Sequence, residues 1–219
     1  MRSSVLIQYR EQLFLVDAGP DFRVQALKHH LHYLDGLIFT HAHYDHTGGL
    51  DDLRPLLFRR EAPLPALMSK DTCKEVKERF AYFLGATPPK IIVNLLPQER
   101  GNFQFFKLPL SYFTYNQGGM EVNGFRFGDL AYVSDIKEYP DSLFGDLIGV
   151  KTLIISALRH SYSPLHLTVD EAVSFAQACG ASITYLTHIS HELDHAKTEA
   201  YLPLNVRMAY DGLELSFTI

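Results

Sequence analysis

Residues 36–49 read Gly-Leu-Ile-Phe-Thr-His-Ala-His-Tyr-Asp-His-Thr-Gly-Gly, and this stretch decides the fold. Its first five residues are apolar or β-branched and predict a short buried strand. Four potential metal ligands follow within six residues: His41, His43, Asp45 and His46. Because their spacing matches no face of a 3.6-residue helix, we expect a tight loop after the strand, on which these side chains converge.

Imidazole and carboxylate ligands together suit zinc, manganese or iron. His41 and His43, two residues apart, can bind one ion, and Asp45 with His46 can bind a second ion close by. Two neighbouring ions can activate water near neutral pH and stabilise a displacement at phosphorus or carbon. The alternative is a polar loop with accidental histidines. It is disfavoured because the strand, the cluster and the glycines at 48 and 49 agree with one another.

The rest of the chain predicts strands alternating with helices in a single domain, 1–219, of the α/β class. Strand-rich halves with intervening helices indicate a sandwich of two sheets with outer helices. Polar groups at 41–46, 135 and 188 each follow an apolar strand, where open sheets place their sites. The expected strands lie near 4–9, 13–16, 36–40, 90–96, 103–108, 111–116, 124–134, 153–157, 182–186, 206–210 and 213–217. The expected helices lie near 21–31, 50–58, 70–84 and 168–179, with a loop over 59–66.

Composition limits the cellular location and the partners that we expect for this chain. The net charge of −5 over 219 residues gives no electrostatic footprint for nucleic acid or an anionic membrane. No apolar run has the length of a transmembrane helix, and the N-terminus lacks the apolar core of a signal peptide. The two cysteines are too few for a disulfide framework. We therefore expect a cytoplasmic protein with no membrane partner.

The cluster His41-x-His43-x-Asp45-His46 resembles the signature of the metallo-β-lactamase superfamily. The flanking stretches 15–23, 49–54, 187–191 and 209–212 are similar to the branch that contains phosphoribosyl cyclic phosphodiesterase. The resemblance covers nearly the whole chain. It implies an αββα sandwich of two mixed β-sheets with outer helices, and up to two Zn²⁺ or Mn²⁺ ions per chain.

The resemblance also implies roles for distant residues. Asp135 would bridge both ions, and His188 would complete the shell of the second ion. His166 would serve the substrate phosphate or the leaving group, a task that suits an imidazole, and Asp45 is the other candidate for a direct part in the reaction. Asp135 as a turn residue and His166 as a surface residue are the structural alternatives. Asp17 would orient a ligand imidazole or simply occupy a turn.

The sequence departs from the superfamily pattern in two places. No histidine lies between His46 and Asp135, where a third ligand of the first ion is usual, and Asn116 is expected at that position. An amide oxygen binds zinc less well than imidazole does, so the first ion would be weakly held, replaced by a harder metal, or absent. The chain also begins after the first strands of its relatives. If those strands are missing, the sheet edge that they would cover is exposed, and a homodimer could cover it instead. The alternative is that the gene product is truncated.

The expected function is hydrolysis of a small cyclic or nucleotide-like phosphodiester through a metal-bound hydroxide. Hydrolysis of an ester, thioester or lactam is an alternative, because the same ions support it. A tRNA-processing nuclease is disfavoured by the acidic charge, and a degenerate, non-catalytic metal-binding protein stays open because of Asn116. Outside the site, the remaining histidines are expected at the surface or have no assigned role: His29, His30, His32, His160, His191 and His195.

Overall fold

A hairpin of two short strands opens the fold, as the alternation of the first sixteen residues predicts. The computed structural model describes residues 1–84 and 90–219 and divides into two compact units, Met1–Gln98 and Glu99–Ile219. Within the first unit, β1 and β2 are antiparallel, whereas β2 through β5 run parallel in the order β1-β2-β3-β4-β5. The strands are β1 (Val5–Tyr9), β2 (Gln12–Val16), β3 (Gly36–Ile38), β4 (Leu64–Met68) and β5 (Ile91–Leu95).

Short helices supply the rest of the first unit's core. Phe22, Leu53 and Val76 from three helical segments are buried in one cluster with Leu37 and Ala66 of the sheet. Burial of each large apolar side chain contributes about 1.5–3 kcal/mol, so this cluster holds the helices on the sheet. The helices are α1 (Phe22–Lys28), α2 (Tyr44–Thr47), a 3₁₀ turn (Leu50–Leu53), α3 (Arg54–Leu57), α4 (Lys70–Arg79) and α5 (Ala81–Leu84).

Strand β4 corrects the prediction of a loop over 59–66. Its five residues are all buried, as expected for a parallel strand covered on both faces. Pro65 made the segment look irregular, because proline cannot donate to a ladder. The Leu64 nitrogen donates to the Lys90 carbonyl on the β5 side. The Pro65 nitrogen therefore faces the β3 side, where pairing begins only at Ala66. The missing donor therefore costs no ladder bond.

The second unit holds a seven-stranded mixed sheet within the described residues, in the order β12-β11-β10-β9-β8-β7-β6. Strands β9 to β12 are parallel neighbours, and β6 to β9 form an antiparallel meander. The strands are β6 (Arg100–Phe105), β7 (Leu108–Gln117), β8 (Met120–Phe127), β9 (Leu130–Val133), β10 (Thr152–Ser156), β11 (Ile183–Thr187) and β12 (Val206–Met208).

Three helices complete the second unit: α6 (Leu143–Asp146), α7 (Val169–Cys179) and α8 (His195–Tyr201). A capping box opens α7. The Thr168 side chain accepts from the Glu171 backbone while the Glu171 carboxylate accepts from the Thr168 backbone. Gly180 ends α7 in the left-handed conformation. Phe175 of α7 packs with Leu153 and Ile155 of β10 in a second buried cluster.

Four further boundaries differ from the sequence prediction. The segment 124–134 is two strands joined at Gly128, and the helix from Asp21 ends at Lys28, not Leu31. The loop expected over 41–46 contains the short helix α2, which carries Asp45 and His46. Residues 213–217 form no strand; instead the Thr218 backbone exchanges hydrogen bonds with Asp129, which fixes the tail at the β8–β9 connection.

The predicted class, α/β with two mixed sheets and flanking helices, is confirmed. Within residues 1–84 and 90–219, we find no helix with both the length and the apolar character needed to cross a bilayer.

Candidate metal centre

Two neighbouring parallel strands position the histidine cluster of the first unit. Val16 of β2 pairs with Ile38 of β3, so Asp17 and Thr40 follow the carboxyl ends of adjacent strands. The cluster begins at the next residue, His41. The register of β2 and β3 thus places Asp17 beside the cluster, although the two lie more than twenty residues apart in sequence.

Asp17 is the buried anchor of this cluster. Its carboxylate accepts from the Thr40 nitrogen (2.9 Å), the Thr40 hydroxyl (2.8 Å) and Nδ1 of His46 (2.7 Å). The residue is only 1% exposed and has a left-handed backbone, φ +61°, which aspartate tolerates better than most residues. Because the Nδ1 proton of His46 points to Asp17, Nε2 carries the lone pair that a metal ion requires. The proposed orienting role of Asp17 rests on this geometry.

Thr40 fixes the second imidazole in the same way. Its hydroxyl donates its only proton to Asp17, so its oxygen accepts from Nδ1 of His41 at 2.9 Å. The Nε2 atom of His41 therefore also carries a lone pair. It lies 2.9 Å from Nδ1 of His43, a separation that calls for a proton or a cation between the two nitrogens. Sequence reasoning missed Thr40, because a threonine at a strand end has no distinctive signal.

The loop that carries the ligands is packed against backbone on several sides. Arg79 of α4 donates to the Ala42 carbonyl (2.6 Å) and to the Thr47 hydroxyl (3.0 Å). A Cβ on Gly19 would collide with the Asp45 carbonyl oxygen, and one on Gly49 with the Gly19 carbonyl oxygen. These glycines have no side chain because two backbone segments meet there. These contacts fix the backbone on which the ligands stand.

In the second unit, two parallel strands end at a second group of ligands. Asp135 follows β9 and His188 follows β11, and both have left-handed backbones, φ +53° and +56°. Nε2 of His188 is 3.2 Å from Oδ1 of Asp135, and Nδ1 of His166 is 3.8 Å from the same oxygen. The rings of His166 and His188 are stacked at 5.3 Å. The three residues that the resemblance implied for this half thus lie together.

The amide side chain that lies beside this second group of ligands is that of Gln117, not that of Asn116. The Asn116 side chain accepts from the Gly119 nitrogen at 2.7 Å and closes the β7–β8 turn. Gln117, on the opposite face of β7, is 2% exposed, and its Nε2 lies 3.2 Å from both ring nitrogens of His166. The prediction of Asn116 was wrong by one residue, and a one-residue shift in a strand exchanges the faces.

A model of the Beta-lactamase superfamily domain matches residues 12–189, which is most of the chain and includes both groups of ligands. The chain belongs to the metallo-β-lactamase superfamily. The resemblance to this superfamily that the histidine cluster indicated is therefore confirmed, as is the fold class that it implied. The family model and the PhnP-family structure described below support a metal-dependent hydrolase.

Solved structures extend this result to the whole chain. A diphosphatase of the PhnP family is 37% identical, with a TM-score of 0.93 over 100% of this chain and 85% of that one. The short form of human tRNase Z is 17% identical, with a TM-score of 0.76 over 100% of this chain and 93% of that one. At that identity the second likeness shows the fold alone.

Curated relatives are longer proteins. An octanoyltransferase of Porphyromonas gingivalis is 30% identical over 217 residues, which is 97% of this chain and 44% of the relative. A ribonuclease J of Thermus thermophilus is 24% identical over 224 residues, covering 86% of this chain and 39% of the relative. This chain spans less than half the length of each, so their names do not transfer to it.

The donor set fits the divalent ions that the superfamily binds. In the first unit, buried partners give His41 and His46 the tautomers that ligation needs. In the second unit, a carboxylate that is 1% exposed faces an imidazole, an arrangement that is costly without a positive charge nearby. Metal binding explains both features.

The other histidines lie outside these groups. His29, His30, His32, His160, His191 and His195 are exposed, and His160 packs edge-on against the ring of Tyr201. Exposure agrees with the surface placement expected from the sequence for all of them except His160, which had no assigned role.

Proposed function

We propose that the chain is a metal-dependent phosphodiesterase that acts on a small cyclic or nucleotide-like phosphodiester. Two divalent ions, Zn²⁺ or Mn²⁺, would be held by the six donors already inferred from the sequence. When bound, these ions would supply Lewis-acid activation of water and neutralise charge on the phosphate. The ligands would be His41, His43, Asp45, His46, Asp135 and His188.

The observation that carries this proposal is the set of hydrogen bonds around Asp17. One buried carboxylate fixes Thr40 and His46 directly and His41 through Thr40. Such partners orient metal-binding imidazoles and fix their tautomers. A histidine loop without a metal-binding role would gain nothing from the buried Asp17 carboxylate beside it.

His166 is proposed to pass a proton to the leaving oxygen. Its side chain is 16% exposed, so it is accessible to a substrate while its ring is held against His188. The Ser163 hydroxyl accepts from the His166 backbone nitrogen at 3.3 Å, which fixes the loop that carries the ring. Proton transfer by a positioned imidazole contributes about 10²–10⁴-fold to a rate.

The function is tested with purified chain supplied with Zn²⁺ or Mn²⁺ and a panel of substrates. The panel contains cyclic ribose phosphates, nucleoside cyclic phosphates, carboxyl esters and thioesters. We expect phosphodiester turnover that His43→Ala removes and that the exposed control His29→Ala leaves intact. If wild type and His43→Ala turn over every phosphodiester equally, the proposal is wrong. Ester turnover alone would favour the alternative hydrolase.

The role of His166 has its own test. His166→Ala should slow hydrolysis of a substrate with a poor leaving group by about 10²–10⁴-fold. A nitrophenolate leaving group needs no proton, so its departure should be slowed much less. Equal losses for both leaving groups would show that His166 does not act as the proton donor.

A diphosphate is the second candidate substrate, favoured by the 37% identity with a PhnP-family diphosphatase. The phosphoric anhydride offers the same kind of phosphorus and a better leaving group than an alcohol. Adding nucleotide diphosphate esters to the panel separates the two, since kcat/KM ranks the substrates directly. A nucleic acid substrate is less favoured, because the net charge of −5 opposes contact with a polyanion.

A further inference from the structure

Gln117 is a buried amide with only one of its two ends satisfied. It is the last residue of β7 and is 2% exposed. Its Nε2 lies 3.2 Å from either ring nitrogen of His166. Its Oε1 has no hydrogen-bond partner among residues 1–84 and 90–219. A buried acceptor without a donor is destabilising, and a folded protein rarely leaves one uncompensated.

The surroundings of Gln117 indicate what compensates its oxygen. The amide contacts His166, and His166 and His188 both face Oδ1 of Asp135. The group therefore combines a buried carboxylate with an amide oxygen at one end of the sheet. Oxygen donors of this kind suit hard divalent cations such as Mn²⁺, whereas zinc prefers imidazole and thiolate. A cation would satisfy the amide oxygen and neutralise the carboxylate together.

We propose that Oε1 of Gln117 is a ligand of one of the two ions and that it shifts the preference of that site from Zn²⁺ towards Mn²⁺. The inference rests on the proposed function, in which these ions are present. The amide has two tasks in this arrangement. Its oxygen binds the cation while its nitrogen holds the ring of His166, so a single residue joins a ligand position to the proposed proton donor.

The test measures the affinity of metal-free protein for Zn²⁺ and for Mn²⁺, by competition with a chromophoric chelator and by the electron paramagnetic resonance of bound Mn²⁺. Gln117→His should raise the Zn²⁺ affinity of the ion site that Gln117 serves by at least about tenfold and reduce the preference of that site for Mn²⁺. Gln117→Leu, close in shape, should weaken Mn²⁺ binding at that site by at least about tenfold. Gln117→Glu keeps an oxygen ligand and should retain or strengthen Mn²⁺ binding.

Asn116→Ala is the matched control, because Asn116 is adjacent in sequence but serves the β7–β8 turn. It should leave both affinities unchanged, and thermal unfolding checks that each variant is folded. If wild type binds two ions and no substitution at 117 alters either affinity, the role of Gln117 is refuted while the phosphodiesterase proposal stands. If wild type binds neither ion, both proposals are refuted together.

Discussion

Replacement of Asp17 by asparagine tests whether a buried carboxylate prepares the histidine cluster for metal. Asparagine keeps the shape and also tolerates the left-handed backbone at φ +61°. The amide can still accept from the Thr40 nitrogen, but its NH₂ group would face the His46 Nδ1 that now donates at 2.7 Å. The imidazole would then accept at Nδ1 and carry its proton on Nε2, the nitrogen that should bind metal.

The expected magnitude follows from that change of tautomer. Loss of a partner that orients a metal ligand weakens binding by about 10–100-fold, or about 1.4–2.8 kcal/mol. Loss of one buried charge-assisted hydrogen bond lowers the free energy of unfolding by about 1.5–3 kcal/mol. Chelator competition gives the first quantity and denaturant unfolding of metal-free protein gives the second.

Asp35→Asn is the matched control for this experiment. Asp35 also accepts a hydrogen bond within the first unit, from the Leu13 nitrogen at 2.8 Å, but it contacts no proposed ligand. It should leave metal affinity unchanged. If Asp17→Asn binds Zn²⁺ as tightly as wild type and Asp35→Asn do, Asp17 does not prepare the cluster and the reasoning is refuted.

Three further changes test the packing around the two groups of ligands. Thr168→Ala removes the α7 cap and should lower the free energy of unfolding by about 1 kcal/mol in denaturant titration; no loss would mean that the cap does not stabilise α7. Glu171 is partly buried, which raises its pKa, but hydrogen bonds from Thr168 and Lys137 outweigh this and hold the pKa below its usual 4.5. The contribution of the Glu171 carboxylate to the free energy of unfolding should therefore be present above pH 4.5 and disappear as the pH falls through the lowered pKa. Wild type and Glu171→Gln should then have the same stability in acid, and a constant difference between them would contradict this. Gly49→Ala places a methyl group against the Gly19 carbonyl and should cost about 3 kcal/mol in the same titration, whereas unchanged stability would show that the two segments can separate freely.

The sequence predicted best where local chemistry and local structure coincide. The ligands at 41–46 stand side by side after an apolar strand, so their prediction needs no knowledge of distant contacts. Asp135 and His188 were inferred from the family resemblance, and the structure places them together with His166 in the second unit.

The predictions failed where distant pairing decides the outcome. Pro65 looks like a loop residue until the register shows that its nitrogen faces a side where pairing has not begun. Asn116 and Gln117 are equally plausible ligands in sequence, and only the face of β7 separates them. Residues 213–217 alternate like a strand, but hydrogen bonds between Thr218 and Asp129 fix the tail elsewhere.

The central claim is that ligands from both groups hold divalent ions. Crystals grown with Zn²⁺ or Mn²⁺ and measured at the absorption edge of the metal test it most directly, because anomalous peaks locate the ions independently of any assumed ligand. We expect peaks coordinated by the proposed ligands, which are His41, His43, Asp45, His46, Asp135 and His188. Peaks confined to exposed residues such as His29 or His191, with none at Asp135, would contradict it.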